Sequence, residues 1–280
     1  MHALLDNTWK VLRTAPPTAL FGLLVIITIL LAGLFAPWLA PYGETQVVGP
    51  PSLPVGDDEF FFGTDEIGRD MFSRIIYGAR NTVGIAFLTT ALAFSLGAVL
   101  GLLAAVKGRW VDQVLGRLVD ILMAIPPLIF ALLILTITGT SIMNMVLVIA
   151  VLDSTRVFRI TRASAMNIGV MEFVEAARLR GEGLWWIIRH EILPNITAPL
   201  AAEFGLRFCF VFLFISALSF LGLGIQPPTA DWGSMVRQSS NLLAFGQLNP
   251  LVPALCIALL TVSVNFVVDW FLYRTSGLKD

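Results

Sequence analysis

Side chains that could carry out chemistry are few in this chain of 280 residues. The two cysteines, Cys209 and Cys256, lie in apolar runs, and neither has a second Cys or a His at metal-ligand spacing. The two histidines, His2 and His190, have no acid, base or metal partner nearby in the sequence. No Gly-x-x-x-x-Gly-Lys-Ser/Thr nucleotide-binding sequence occurs. These observations predict a chain that is not an enzyme, binds no metal and hydrolyses no ATP itself.

Isolated charges inside apolar runs are the first candidate functional residues. Glu203 and Arg207 lie four residues apart, about one helical turn, so their side chains can pair on one helix face. Asp120, Asp153 and Asp269 lie near the ends of apolar runs. A charge in a membrane costs about 3 kcal/mol on insertion scales, so it usually pairs or faces water. Two interpretations stay open: a structural ion pair with interfacial aspartates, or a charged translocation path that contacts a solute.

The longest polar interruption in the second half of the chain is residues 172–194. Its composition predicts a helix over Glu172–Gly181, ended by a Gly-x-Gly at 181 and 183, and a second helix over Leu184–Glu191 that stops at Pro194. One interpretation is a helix-turn-helix that docks a soluble partner. The other is an interfacial amphipathic helix that shelters Trp185 and Trp186, and spacing alone favours this one.

For a docking role, the small side chains of Ala176 and Ala177 allow another surface to approach closely. Glu175 and the neighbouring arginines can then fix the register of that surface. Movement of the partner would tilt the membrane spans attached at either end of the segment.

The overall composition predicts an integral membrane protein, because 57% of the residues are hydrophobic and only 13% are charged. The formal net charge of −1 gives no bias towards nucleic acid. A spanning helix needs about 20 apolar residues, and one long uncharged run must be split at Gly139, giving six spans. We predict an all-α membrane protein with an uncleaved first span, the six spans lying near residues 18–40, 81–106, 118–138, 142–158, 196–225 and 242–268.

The distribution of Lys and Arg predicts that both termini are cytoplasmic, since basic residues favour the cytoplasmic side of short loops. Lys107, Arg109 and Arg117 flank one such loop, and Arg156 begins another. Residues 234–245 are predicted to form a short amphipathic helix outside the membrane. The predicted organisation is a cytoplasmic N-terminus at 1–17, a first transmembrane helix at 18–40, an outer loop at 41–80, a five-helix core at 81–273 that contains a cytoplasmic loop at 163–195 and an outer segment at 223–250, and a cytoplasmic tail at 274–280.

Several long motifs occur in order over most of the chain and carry a family resemblance. The polar segment, with its Glu-Ala-Ala and following Gly, is similar to the "EAA" loop of binding-protein-dependent ABC permeases. The chain as a whole resembles the dipeptide/oligopeptide-type permease subunits. The motifs are Phe62-Gly63-Thr64-Asp65-Glu66-Ile67-Gly68-Arg69-Asp70, Ser73-Arg74, Tyr77-Gly78-Ala79-Arg80, Arg117 to Leu122 with Pro126, Glu175-Ala176-Ala177 to Gly181, Leu193-Pro194-Asn195, Ala217 to Gly224 with Gln226-Pro227-Pro228, and Trp232-Gly233.

The resemblance implies the fold of a type I ABC importer permease in the bacterial or archaeal inner membrane, transporting peptides or peptide-like solutes. It implies a second permease subunit, two ATPase subunits that bind ATP and Mg²⁺, and a periplasmic or lipid-anchored binding protein. Arg180 and Glu191 depart from the family pattern, which has an apolar residue before the Gly and often a His before Ile-Leu-Pro. The residues that the resemblance assigns to ATPase coupling are Glu175, Ala176, Ala177, Arg178, Arg180 and Gly181.

Alternatives remain at this stage. The same machinery also serves nickel, opines and glycosides, and the sequence does not identify the solute or say whether the permease pair is a heterodimer. A stand-alone secondary transporter would need an ion relay, for which Asp153, Glu203 and Asp269 are candidates. No internal inverted repeat is detected, which disfavours that class.

Overall fold

The computed structural model describes residues 15–275, with side chains to residue 274, and that part of the chain is predominantly α-helical. It contains no strand in these residues, only two isolated bridges that join Val47 to Arg69 and Thr64 to Asp70. The helices in chain order are α1 Pro17–Leu34, α2 Ala36–Leu39, α3 Met71–Gly78, α4 Gly84–Lys107, α5 Arg109–Ala124, α6 Pro127–Thr138, α7 Ile142–Gly169, α8 Glu172–Leu179, α9 Leu184–Ile187, α10 Leu193–Phe220, α11 Trp232–Ser239 and α12 Leu251–Thr275.

Four continuous helical stretches within residues 15–275 are long and apolar enough to cross a membrane. A fifth is added if the bent pair α5 and α6 is one span. The predicted Ile142–Phe158 span is not among them, because Asp153, Arg156 and Arg159 interrupt its apolar character. A sixth crossing at α7 therefore stays a prediction. The four stretches are Pro17–Leu34, Met71–Lys107, Leu184–Phe220 and Leu251–Arg274.

The predicted span over Leu118–Thr138 is not one continuous helix. Helix α5 ends at Ala124, α6 begins at Pro127, and the two are bent by 87°. Ile125 is extended, with φ −93° and ψ 131°. Proline has no N–H to donate and disfavours helical geometry in the residue before it, so Pro126 and Pro127 end one helix and begin another.

The predicted stop at Pro194 is also wrong, since helical structure continues from Leu184 to Phe220. A π-helical turn at Ile188–Ile192 precedes Pro194 and joins α9 to α10. A proline leaves the carbonyl four residues earlier without its partner, and a local π turn is one way in which a helix absorbs that loss. The polar segment of residues 172–194, which we call the coupling segment, thus runs directly into a long apolar helix.

The predicted outer amphipathic helix is split into α11 and a 3-10 helix at Ser240–Phe245. The last apolar helix starts at Leu251, later than the predicted start at residue 242. The tight turn is completed at Gly246, which has a φ of +76°. An αL glycine ends a helix without strain, so this residue separates the 3-10 helix from α12.

The chain divides into two compact units. We call the described residues up to Gly84 and from Phe212 the terminal unit, and Ile85–Val211 the central unit. In the terminal unit α1 packs along α12, and a Cβ at Gly22 would lie 2.5 Å from the Ser263 carbonyl oxygen. The absence of a side chain at Gly22 therefore allows this close helix packing.

The long segment before α3, in the terminal unit, is held by backbone contacts at two glycines. Gly63 and Gly68 have φ values of +71° and +86°. A Cβ at either position would lie 2.1 Å from a carbonyl oxygen, that of Leu53 or Gly49 respectively. Both the backbone conformation and the space require glycine here. These two glycines of the Phe62–Asp70 motif are therefore needed for folding.

Three charged residues in and just after the same motif, Asp65, Arg69 and Arg74, are buried and paired. The Nε atoms of Arg69 and Arg74 lie 2.6 Å and 3.5 Å from Asp65 Oδ2. Arg74 Nη1 also donates a hydrogen bond of 2.8 Å to the Glu44 carbonyl oxygen. Buried arginines need such partners to offset the loss of hydration. The motif thus closes the segment on itself.

In the central unit α4 packs against α7 through small residues. A Cβ at Gly97 would lie 2.4 Å from the Ser154 carbonyl oxygen, and one at Gly101 would lie 2.8 Å from that of Phe158. Close backbone approach between apolar helices is typical of membrane proteins, in which van der Waals packing drives association.

Candidate functional site

Helix α8 presents one face to its own chain and the other to solvent. Val174 and Ala177, three residues apart, are fully buried, whereas Glu175, Ala176 and Arg178 are exposed. The sequence interpretation had both alanines available for a partner, but only Ala176 is. The cause is the helical period, which turns Ala177 to the side of Val174.

The buried face of α8 belongs to a hydrophobic cluster within the central unit. Residues of the π-helical turn and of α10 complete the cluster beneath it, so α8 is fixed to the start of the long helix. The buried members are Leu102, Ala165, Val174, Ala177, Ile187, Ile188, Ile192, Ile196 and Leu200.

Gly181 ends α8 through a Schellman turn. Its N–H donates to the Arg178 carbonyl oxygen at 2.9 Å, and the Glu182 N–H donates to that of Ala177 at 3.2 Å. Gly181 has a φ of +83°, and no atom lies within 4 Å of the position of a Cβ. The turn therefore requires glycine for its backbone conformation and not for space.

The two residues that depart from the family pattern lie next to each other. Arg180 Nη2 is 3.7 Å from Glu191 Oε1, and Arg180 Nε is 3.9 Å from Glu182 Oε1. The guanidinium also lies 5.7 Å from the centre of the Trp186 ring, on which His190 stacks at 4.8 Å. The Arg180 side chain stays about half exposed. The two departures thus form one ion pair that connects the turn to the second leg of the segment.

On the side away from the buried hydrophobic cluster, the coupling segment exposes both apolar and charged side chains. Leu179 is 84% exposed and Trp185 is 72% exposed, and both lie beside exposed charges. A surface of this kind can be covered either by another molecule or by the membrane interface. The candidate residues exposed here are Glu175, Ala176, Arg178, Arg180 and Gly181.

A buried charge cluster is the second candidate site, also in the central unit. Arg207 Nε lies 2.7 Å from Glu203 Oε1, which confirms the ion pair expected from their spacing. Arg207 Nη1 also lies 3.4 Å from Asp153 Oδ1, and the Asp153 side chain is only 2% exposed. The guanidinium of Arg156 lies 4.1 Å from the centre of the Phe210 ring. Arg207 therefore bridges two carboxylates.

Asp153 is one of the three aspartates that the sequence places near the ends of apolar runs. It lies in the middle of α7 and is buried, whereas Asp120 and Asp269 are exposed. No local pattern indicates the contact, because 54 residues separate Asp153 from Arg207. A second pair that sequence reasoning missed joins Asp112 of α5 to Arg162 of α7.

At the start of α11, Asp231 lies in a buried polar network in the terminal unit. Its Oδ2 accepts a hydrogen bond of 2.8 Å from the Ser234 N–H, and its Oδ1 accepts one of 2.9 Å from the Thr82 hydroxyl. Burial raises the pKa of the Asp231 carboxyl above its usual value, against the opposite effect of these hydrogen bonds. The indole of Trp232 donates to the Ile75 carbonyl oxygen at 3.0 Å. Asp231 and Trp232 thus attach α11 to α3 and to the π-helical turn Ala79–Val83 that follows it.

In residues 15–274 no group of three or more His, Cys, Asp or Glu side chains is arranged to hold a metal ion. Neither Cys209 nor Cys256 forms a disulfide within the described residues, and the first is buried and the second partly buried. His190 Nδ1 lies 3.1 Å from the Trp186 carbonyl oxygen. The chain termini, which lie outside the described residues, contain His2 and the basic residues Lys10, Arg13 and Lys279.

Comparison with known proteins shows which family the chain belongs to. Residues 97–276 match the family described as "Binding-protein-dependent transport system inner membrane component", and residues 4–51 match "N-terminal TM domain of oligopeptide transport permease C". The chain belongs to the first of these families. It is therefore the membrane-embedded, multi-pass permease component of an ABC transport system, and such a component is not an enzyme.

Particular relatives cover nearly the whole chain. A "Di/tripeptide transport system permease protein DppC" of Pseudomonas aeruginosa is 37% identical over 94% of this chain and 86% of its own length. A "Dipeptide transport system permease protein DppC" of Alkalihalophilus pseudofirmus is 35% identical over 94% and 84%. A "Probable D,D-dipeptide transport system permease protein DdpC" of Escherichia coli is 31% identical over 94% and 86%.

One solved structure supports the fold. "Crystal structure of an amino acid ABC transporter with histidines" aligns with a TM-score of 0.56 over 72% of this chain and 94% of that chain, at 19% identity. At this identity the comparison shows a shared permease fold and carries no information about the solute.

Proposed function

We propose that this chain is one of two permease subunits that together import short peptides across the inner membrane. The support for the solute is the set of relatives, which are named for di- and tripeptide transport and align over nearly their whole lengths. Two ATPase subunits supply the energy by binding ATP and Mg²⁺, and a periplasmic or lipid-anchored binding protein delivers the peptide. No observation favours nickel, opines or glycosides.

The proposed ATPase contact is the outward surface of the coupling segment. The observation that carries it is the combination of a fixed inner face and an exposed outer face: Val174 and Ala177 are buried while Glu175 and Leu179 project outward. A force applied to such a helix is transmitted, because the cluster beneath α8 does not allow it to move independently. The same cluster contains Ile196 of α10, so displacement of α8 would move the long helix.

In this proposal Glu175, Ala176, Arg178 and Gly181 contact the ATPase directly. Arg180 forms an ion pair with Glu191 that partly neutralises its charge, so Arg180 contributes mainly to the shape of the turn. Ala177 acts from inside, since a larger side chain there would push α8 off its cluster. The segment lies on the cytoplasmic side, as do both termini.

Two substitutions test the coupling role. Glu175→Lys reverses an exposed charge, and Gly181→Asp forces a β-carbon into the left-handed region at a cost of about 1 to 2 kcal/mol. Both should reduce peptide uptake in membrane vesicles and the amount of ATPase that co-purifies, while the permease still inserts in the membrane. Insertion is spared because the segment lies outside the hydrocarbon.

Matched controls exist on the same segment. Glu172→Lys makes the same charge reversal one turn earlier, and Gly183→Asp adds the same side chain where φ is −74°. Both controls should keep most of the uptake. Parental uptake in Glu175→Lys and Gly181→Asp would remove the segment from the mechanism and favour an interfacial helix.

A further inference from the structure

A polar cavity in the terminal unit lies outside the coupling segment and the charge cluster. Its volume is about 390 Å³, which is in the range of small-molecule sites. The Ala217–Gly224 and Gln226-Pro227-Pro228 motifs form one wall, and α11 with the following 3-10 helix forms another. The lining residues are Glu66, Ser219, Gly222, Ile225, Gln226, Pro227, Ser234, Arg237, Gln238 and Asn241.

The wall after α10 is built by a second Schellman turn. The Gly222 N–H donates to the Ser219 carbonyl oxygen at 3.0 Å, and the Leu223 N–H donates to that of Leu218 at 2.9 Å. Gly222 has a φ of +85°. Gln226 Nε2 then donates to the Gly222 and Gly224 carbonyl oxygens at 3.0 Å and 2.9 Å. The loop is therefore closed by its own hydrogen bonds before any ligand arrives.

The turn also fixes the position of a guanidinium. A Cβ at Gly222 would lie 2.2 Å from Arg237 Nη1 and 3.1 Å from Nη2, so the guanidinium packs on the bare backbone of this glycine. Glycine at this position serves both the conformation of the turn and the space for Arg237. The side chain of Arg237 is thereby held at the cavity wall.

The two charged side chains that line the cavity, Arg237 and Glu66, are available to bind a ligand. Among residues 15–274, neither Arg237 nor Glu66 takes part in an ion pair. Gln238 Oε1 accepts a long hydrogen bond of 3.5 Å from Arg69, which leaves its amide N–H groups for another partner. The cavity thus combines a guanidinium and amide donors with one carboxylate.

A small solute that satisfies both ends of such a cavity carries a carboxylate and an ammonium group. A guanidinium binds a carboxylate through two parallel hydrogen bonds, and a carboxylate accepts hydrogen bonds from an ammonium. Two residues span about 7 Å when extended, which suits a cavity of this size.

We propose that this cavity is an entry site for short zwitterionic peptides, in which Arg237 binds the free carboxylate and Glu66 the free ammonium group. The inference rests on the proposed function, because it needs the cavity to lie on the outer side, where the binding protein releases its peptide. The site holds the peptide between release and passage. It is separate from the Glu203–Arg207 pair, which belongs to the central unit.

The main test uses the reconstituted permease–ATPase complex in proteoliposomes, with binding protein and dialanine. Arg237→Gln keeps the length and some hydrogen bonding but removes the charge. It should lower dialanine uptake about ten-fold, because a hydrogen bond to a charged group is lost. ATP hydrolysis stimulated by the liganded binding protein should stay near the parental rate. Arg80→Gln is the matched control, since it removes an exposed arginine of the same unit that does not line the cavity.

Reciprocal variants assign the two ends. The parent should discriminate against N-acetyl-dialanine, and Glu66→Gln should remove most of that discrimination, since no ammonium group remains to be recognised. Asp58→Asn, which neutralises an exposed acid away from the cavity, should leave that discrimination unchanged. A photoreactive dipeptide analogue should label residues 222–241 in the parent, and dialanine should compete with it.

Two outcomes would overturn the proposal. Uptake at the parental rate in Arg237→Gln would show that the cavity does not hold the peptide. An equal loss of uptake and of stimulated ATP hydrolysis, with weaker binding of both liganded and empty binding protein, would make the cavity a docking surface for that protein. Failure of the proposed function itself looks different, because the parent would then import no dialanine at all.

Discussion

Arg207 is the residue whose role changes most once its surroundings are known. A pair of Arg207 with Glu203 alone would be neutral. Because Asp153 Oδ1 also lies 3.4 Å from Arg207 Nη1, two carboxylates share one guanidinium. A second cation, Arg156, lies nearby. Replacing only Glu203 and Arg207 by apolar residues would leave Asp153 buried without its closest partner. A test of a structural role must therefore neutralise all three residues together.

We expect Arg207→Met to lower the amount of folded permease in the membrane strongly. Two buried carboxylates would lose their cation, and breaking a buried pair costs about 3 to 5 kcal/mol. Arg159→Met, which removes an exposed arginine of helix α7, should leave the amount near the parental level. Fluorescence-detected size-exclusion chromatography measures both.

The triple variant Asp153→Asn, Glu203→Gln, Arg207→Met separates a structural from a transport role. Recovery of both protein amount and peptide uptake would mean that the cluster holds the fold. Recovery of protein amount without uptake would place the cluster on the solute path. We expect the first result, because most of the cluster is shielded from solvent in the central unit.

Elements were predictable where their cause is local in the sequence. The turn at Gly181 and the Glu203–Arg207 pair follow from spacings of a few residues, and both are present in the structure. The bend at Pro126 also had a local signal in two adjacent prolines, but apolar length outweighed it in the prediction. Asp153 had no local signal, since its partner is brought close only by helix packing. The burial of Ala177 could have been inferred from its spacing to Val174.

At the scale of helix packing, we expect Gly97→Ala to destabilise the protein by about 1 to 3 kcal/mol. The new methyl group would meet the Ser154 carbonyl oxygen at 2.4 Å, and backbone atoms of α7 cannot turn aside as a side chain can. The melting temperature in detergent should fall accordingly. Gly116→Ala in α5 is the control, because nothing lies within 4 Å of its Cβ position. That variant should be as stable as the parent or slightly more stable.

For the molecule as a whole, labelling from the two sides of the membrane measures its orientation. In a background without Cys209 and Cys256, Asp58→Cys and Phe245→Cys should react with a membrane-impermeant thiol reagent in intact cells. Leu179→Cys should react only after the membrane is opened. All three positions are exposed in the structure, so a difference between them reports the side of the membrane. Ser234 would be a poor probe, because it is buried. Labelling of Leu179→Cys from outside would invert the topology.

The continuous helical stretch from Leu184 to Phe220 has a mechanical consequence. Its 37 residues at 1.5 Å per residue give a length of about 55 Å, against a hydrocarbon core of about 30 Å. A rigid helix of this length amplifies a tilt, because a rotation of about 10° about one end displaces the other end by on the order of 10 Å. That distance is comparable to the diameter of a helix. In the proposed orientation, small angular changes at the Leu184 end would then open or close a gap wide enough for a short peptide, without any large rearrangement where the energy is applied.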